Sequence, residues 1–357
     1  MRRRVKGTAS RAGGRTRARG LPIAGILVGL AACAGSTARP VQPAPSTTAV
    51  TVPPTTTSTI PPPPVFPLTG LPASGGPATR PALSIKVDNV NPARPQSGVN
   101  DADIVFEELV EGGNSRLLAV YQSHDSALVG PVRSARPVDA DLLHALGGGI
   151  FAYSGAATGE IAPVKDHSGA LLLSEELNSP GFARDHHRDA PYNLYTSTPA
   201  LYAAAQLHSG APPAFFQYDP HVGGAPVQAA DLPFAKRISS TWQWNPADQL
   251  FLRSQNGAPD MLRDGSVVSA HDVVIMSVQT RGTGIFDTAN EEDPFVVVIG
   301  SGPCWVLRNG RVMQGQWSRP SLESPTRLTT SAGTPISLQP GRTWVELLPA
   351  PAQPQFR

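Results

Sequence analysis

The chain has 357 residues, with 29 Lys and Arg against 27 Asp and Glu, and two cysteines. Eight of the basic residues lie between Arg2 and Arg19, so the chain after residue 32 holds 21 basic and 27 acidic residues, a net charge of about −6. The overall charge of +2 is a property of the N-terminus, and the composition excludes the broad cationic footprint of a nucleic-acid-binding protein.

The basic N-terminus leads into the apolar run "LPIAGILVGLAA", Leu21 to Ala32. Twelve residues are too few to cross roughly 30 Å of hydrocarbon as a helix, and a basic segment before a short apolar one has the order of an export signal. The run ends in "LAAC", whose small-small-Cys order is that of a bacterial lipobox. The expectation is a lipoprotein signal peptide over 1–32 and a diacylated Cys33. That anchor would hold the mature chain on the outer face of the cytoplasmic membrane, in the bacterial cell envelope. Cys304 is then the only cysteine left for the folded part, and it reads as a buried structural thiol. Residues 33–65 are rich in Pro and Thr with almost no charge, and they read as an extended tether without a core of its own.

Residues 66–349 read as the folded part. "ALSIKVD" alternates Leu83, Ile85 and Val87 with polar neighbours, as a half-buried strand does. "DIVFEELVEGGNSRLLAVYQS" predicts two strands joined at Gly112, Gly113 and Asn114. After "GPVRSARP" a helix is predicted, with Pro137 in its first turn, Leu142, Leu143 and Leu146 on its apolar side and Gly147 at its end. "GIFAYSG" predicts another strand, and "TPALYAAAQLHSG" a second helix with Thr198 as N-cap and Gly210 near its end. Beyond residue 234 the pattern is all strand, and Asn309-Gly310 in "CWVLRNGRVMQGQW" suits a type I′ hairpin. The expected fold class is α+β: a layered α/β N-terminal domain over 66–225, then a smaller β-rich C-terminal domain over 234–349.

Chemistry-bearing residues concentrate between 84 and 196. Arg94, Arg116, Arg133, Arg136, Arg184 and Arg188 all fall in loops or at strand ends. Arginine is the residue suited to bidentate recognition of carboxylate or phosphate, so these six are candidate ligand-binding residues. Asp88, Glu107, Glu108, Glu111, Asp139 and Asp185 are near enough in sequence to neutralise them as loop-fixing ion pairs, and both readings stand at this point. In "RDHHRD", Asp185 and His187 join the candidates for acid/base work, whereas adjacent His186 and His187 do not suit one metal ion. No metal-ligand spacing, P-loop, dinucleotide fingerprint or nucleophile elbow occurs, so neither a metal nor a cofactor is expected. The tryptophans of the second half read as sheet core.

"PLTGLP", "ARPQSGVNDADIVFEELVEGGNSR", "GPVRSARP" and "RDHHRDAPYNLYTS", in this order, resemble the YerB-like lipoproteins, a bacterial family of uncharacterised function. "VLRNGRVMQGQW" with "LQPGRTWVELLP" resembles that family's C-terminal domain. The resemblance implies an exported lipoprotein of two domains and carries over no catalytic residue. Where "APYN" stands here the family pattern is Ala-Pro-His-Asn, so Tyr192 occupies the place of a histidine and puts in doubt any mechanism that needs that imidazole. The functional expectation is a membrane-anchored envelope protein that binds or scaffolds an anionic cell-wall component or an envelope protein. The alternative is an envelope hydrolase acting on wall or peptide substrates.

Overall fold

The structure, a computed structural model, describes residues 64–73, 79–206, 210–221, 223–287 and 290–357. The signal peptide, Cys33 and nearly all of the tether expected over 33–65 lie outside the described residues. Among the described residues no helix is long and apolar enough to cross a membrane.

In chain order the first half supplies β1 (Leu83–Asp88), β2 (Ile104–Val110), β3 (Asn114–Tyr121), α1 (Val138–Ala145), β4 (Ile150–Tyr153), α2 (Thr158–His167), β5 (Leu171–Ser174), β6 (Phe182–Arg184), β7 (Leu194–Thr196) and α3 (Thr198–Ala205). The second half supplies strands. These are β8 (Ala225–Pro226), β9 (Ala229–Ala235), β10 (Ile238–Asn245), β11 (Leu250–Gln255), β12 (Ala258–Pro259), β13 (Ser269–Ala270) and β14 (Asp272–Phe286), then β15 (Glu292–Val297), β16 (Gly300–Arg308), β17 (Arg311–Arg319), β18 (Arg327–Thr329), β19 (Thr343–Pro349) and β20 (Gln355–Phe356).

The expected fold class is overturned. The protein is mostly β, and its two halves share one twelve-stranded mixed sheet in the order β18-β17-β16-β14-β19-β2-β3-β1-β4-β5, with β15 on β14 and β8 on β17. The seam is β19, which runs parallel to β14 on one side and parallel to β2 on the other. Alternating apolar residues reveal that a segment is a strand but not which distant strand it pairs with. Three helices of eight to ten residues among the described residues are too few to cover such a sheet as a helical layer.

A six-stranded sheet, β12-β11-β10-β9-β20 with β13 on β11, packs on one face of the large sheet instead. Between the two sheets lie Leu83, Ile85 and Val87 of β1, Trp242 and Phe251 of the smaller sheet, and Trp344 of β19. The Trp242 and Trp344 rings meet edge to face with centroids 5.3 Å apart. On the opposite face, α1 and α2 bury Val138, Leu142, Leu143, Ile161 and Val164 against Phe106, Leu118 and Phe151. Strand β1, expected to be half-buried, is buried along its whole length because β3 and β4 flank it and both sheet faces are covered. Cys304 is fully buried on β16, and burial pushes its thiol up to about 12.

Local expectations fared better. The 111–113 turn joins β2 to β3, and α1 begins just after Pro137 and reaches its C-cap at Leu146. Asn309 and Gly310 both have positive φ, as a type I′ turn requires. The N-cap of α3 is Ser197 rather than Thr198, its hydroxyl accepting from the Ala200 amide at 3.3 Å. That helix closes at Ala205, well before Gly210.

Candidate functional site

Strands β1, β4 and β5 run parallel, and β2 shares their direction because both β1 and β2 are antiparallel to β3. The carboxyl ends of these four strands, at Asp88, Tyr153, Ser174 and Val110, therefore lie along one end of the sheet. In open α/β sheets this is the end where ligands bind, an analogy of architecture only. The arginine-rich segments of the sequence converge there.

The stretch "GPVRSARP" crosses this end as extended chain. Val87 and Val132 form a β-bridge, the Arg133 amide donates to the Lys86 carbonyl at 2.9 Å, and the Val132 amide donates to the Leu194 carbonyl at 2.7 Å. Gly130, with φ +152°, passes so close to β7 that a Cβ there would lie 2.8 Å from the Leu194 oxygen. The two arginines then part. Arg136, at the entrance to α1, turns inward with its side chain 6% exposed, amid Glu111, Glu160 (3.1 Å) and Asp293 (3.3 Å). Arg133 stays at the surface, 28% exposed, with Nε 3.1 Å from Asp88. Its two terminal nitrogens donate to no group among the described residues, and its guanidinium lies 5.9 Å from the Tyr192 ring centroid.

The motif "RDHHRDAPYN" is the connection between β6 and β7, pinned at three points. Arg184 donates to both oxygens of Glu175 and to Asn193. Asp185 receives an ion pair from Arg263 at 2.7 Å and the His187 amide at 2.9 Å. Arg188 donates to the Tyr195 hydroxyl and to the carbonyls of Pro92 and Pro95. His186 and His187 are exposed on the outer turn. Among the described residues no group of three or more His, Cys, Asp or Glu is placed to hold a metal ion.

Of the eight candidate ligand-binding residues, two line the same cavity. Arg133 and Arg184 face a space of about 340 Å³ together with Ser134, Ser154, Glu175 and Glu176, beside residues 155–157 that lead into α2. Arg116 and Arg136 lie beneath it, sharing Glu111. Arg94 belongs to another place, where it pairs with Asp260 under the smaller sheet. Asp185, His187 and Arg188 form the outer loop rather than the cavity wall.

Two buried ionic clusters support this end of the sheet. On the helix-covered face, Lys86 is fully buried between Glu108 and Asp139. Burial pushes Glu108 up to about 7, against the pull of Lys86 and with the push of Asp139. Asp293 is likewise raised to about 7 by burial, opposed by Arg136. Glu111 is buried too, yet Arg116 and Arg136 together hold it below its ordinary value. On the other face, Arg253 is completely buried among Glu107, Asp260 and Glu346. Glu346 accepts from the Trp242 indole at 2.7 Å, and burial beside Glu107 raises it to about 8.

Sequence reasoning named the near carboxylates of these clusters, Asp88 and Glu111 among them, and missed Glu160, Asp293, Asp260 and Glu346. Asp293 stands in "EEDPF", which reads as a solvated acidic run. Only the pairing of β15 with β14 brings it to Arg136.

Comparison with known proteins places this geometry in a family. Residues 68–210 match the family described as "Protein of unknown function (DUF3048) N-terminal domain", and residues 230–345 match its C-terminal domain. The chain is 25% identical to the "Putative lipoprotein YerB" of Bacillus subtilis over 299 residues, 79% of this chain and 86% of that one. The crystal structure of the Bacillus subtilis YerB protein superposes with a TM-score of 0.69 at 24% identity, covering 82% of this chain and 99% of that chain, a likeness of fold. With both of its halves matched in order, the chain belongs to the DUF3048 family.

Proposed function

We propose that the protein is a tethered binding module of the cell envelope, and that the cavity at the carboxyl ends of β1, β4 and β5 receives an anionic group. The tether reading is supported by the "LAAC" signal at Cys33 and by similarity to a protein named as a lipoprotein. The binding reading rests on Arg133. The Asp88 carboxylate lies 3.1 Å from its Nε, an ion pair without a hydrogen bond, and its terminal fork is unpaired beside the cavity, free for bidentate recognition of a carboxylate or phosphate. Arg116 and Arg136 serve this site indirectly, by fixing the ground from which the 130–136 segment rises.

The test is a calorimetric titration of the full-length chain with inorganic phosphate and with acetate. Arg133→Lys keeps the charge and loses the fork, and it is expected to weaken binding about tenfold while the fold is retained. Wild-type protein that takes up neither anion at moderate ionic strength would remove this reading.

A further inference from the structure

A second cavity, of about 310 Å³, is lined by Tyr192, whose ring faces Arg133 of the first. Its floor is Asn89 and Gln255, buried amides locked to each other: Asn89 donates to Gln255 at 3.1 Å, and Gln255 donates back to the Asn89 carbonyl at 3.3 Å. Its walls are Asn91, Asn114, Arg237 and Tyr192. Asn91 and Arg237 are exposed, and neither side chain has a partner among the described residues. The Tyr192 hydroxyl is likewise unpartnered there. Tyr192 lines this chamber while its ring lies beside Arg133 of the first, and Pro191, the residue before it, lines the first chamber. Asp88, which holds Arg133, is followed directly by Asn89 and Val90 of the second chamber. The two linings share no residue and come together across Tyr192 and Arg133, 5.9 Å from ring centroid to guanidinium.

The linings differ in kind. The first chamber offers a free guanidinium fork. The second offers the unpartnered Asn91 amide, the side-chain oxygen of Asn114, a second guanidinium and one aromatic ring, over a floor whose Asn89 and Gln255 amides are spent on internal hydrogen bonds. A hydroxyl group is donor and acceptor at once, so it can receive from Asn91 or Arg237 and donate to the Asn91 or Asn114 oxygen. The ring supplies an apolar surface for the C–H face that such a molecule presents between its hydroxyls. Each chamber reaches the lower end of the roughly 300–1,000 Å³ range of small-molecule sites.

We infer that the two chambers form one site for an acidic saccharide, a sugar ring carrying a carboxylate or a phosphate. The anionic substituent sits on Arg133, and the ring lies against Tyr192 with its hydroxyls on the amides and Arg237. This rests on the anion-binding reading above and names its ligand class. Tyr192, in the wall of the second chamber with its ring beside Arg133 of the first, gives this chain a stacking surface between them.

The experiment titrates the full-length chain with inorganic phosphate, glucose 6-phosphate, glucuronate and glucose. Glucose 6-phosphate and glucuronate are expected to bind about tenfold or more tightly than phosphate or glucose alone. Tyr192→Ala should bring glucose 6-phosphate down to the affinity the same variant shows for phosphate. Arg237→Ala, which removes an exposed side chain without a partner, should weaken the two acidic sugars and spare phosphate. Equal binding of phosphate and glucose 6-phosphate, indifferent to both substitutions, would overturn this inference while leaving the anion site intact. Binding of no probe would overturn both.

Discussion

Arg133 and Arg136 are three residues apart and do opposite things. One is anchored at the rim with its fork free, and the other is buried among three carboxylates. Removing the buried one should leave Glu160 and Asp293 without their cation and Glu111 with Arg116 alone, so Arg136→Ala is expected to cost about 3–5 kcal/mol, read by chemical denaturation. The raised carboxylates imply a pH dependence opposite in sense to ordinary acid denaturation. Glu108, Asp293 and Glu346 titrate near 7, 7 and 8 in the folded protein, well above their ordinary values. Between those values the folded state holds protons that the unfolded state has released. Their contribution is thus complete at low pH and is lost as pH rises through the folded values. Glu111, held low, acts in the reverse direction and weakens the fold only in acid. The melting temperature should fall between about pH 5 and pH 8.5, and Glu346→Gln, which mimics the protonated form, should flatten that fall. A wild-type melting temperature that climbs over this interval would contradict the assignment. The sequence shows Glu107 and Glu108 as neighbours of the arginines, but a strand sends adjacent side chains to opposite faces. Glu107 accordingly meets Arg253 and Glu108 meets Lys86, so one acidic pair serves two separate clusters.

At the scale of the element, what could be read was what local chemistry dictates. The Asn309-Gly310 turn is such a case, because two consecutive positive φ angles are required and these residues supply them. A Cβ at Gly310 would lie 2.7 Å from the Trp244 indole nitrogen, so Gly310→Ala should destabilise by about 1–2 kcal/mol in equilibrium denaturation. The 130–136 segment is a different kind of element. It is held by β1 and β7, and nothing in its own sequence specifies the pairing. Helix α2 was not recognised because Pro163 stands inside it and it buries only Glu160, Ile161 and Val164. Its Glu160 pairs with Arg136, so a carboxylate of that buried cluster stands on it.

For the molecule as a whole, the parallel pairing of β19 with β2 decides how the parts depend on each other. Trp344 and Glu346 of β19 complete the core and the Arg253 cluster beneath strands of the first half. A chain ending near residue 228 would lose them and leave β2 as an open sheet edge. Such a fragment is expected to aggregate or remain unfolded. The intact folded part should melt in one calorimetric transition, and two well-separated transitions would show that the halves are independent. Trp344→Ala, at the contact between the sheets, should cost about 3–5 kcal/mol and lower that single transition.

By itself the sequence determined the features whose cause is local: the export-signal pattern, most of the strands, the I′ hairpin, two helices and the gathering of arginines around three loops. Each depends on residues within a few positions of one another, where backbone preference and side-chain periodicity act directly. Which arginine would face solvent, and which would be closed in by Asp293 or Asp260, depended on strand pairings across hundreds of residues. Local preference does not encode those pairings, and burial settles them only once the sheets have come together. Tertiary structure therefore put Arg133 and Arg184 in the wall of one cavity, Tyr192 in the wall of another, and closed Arg116 and Arg136 in around Glu111.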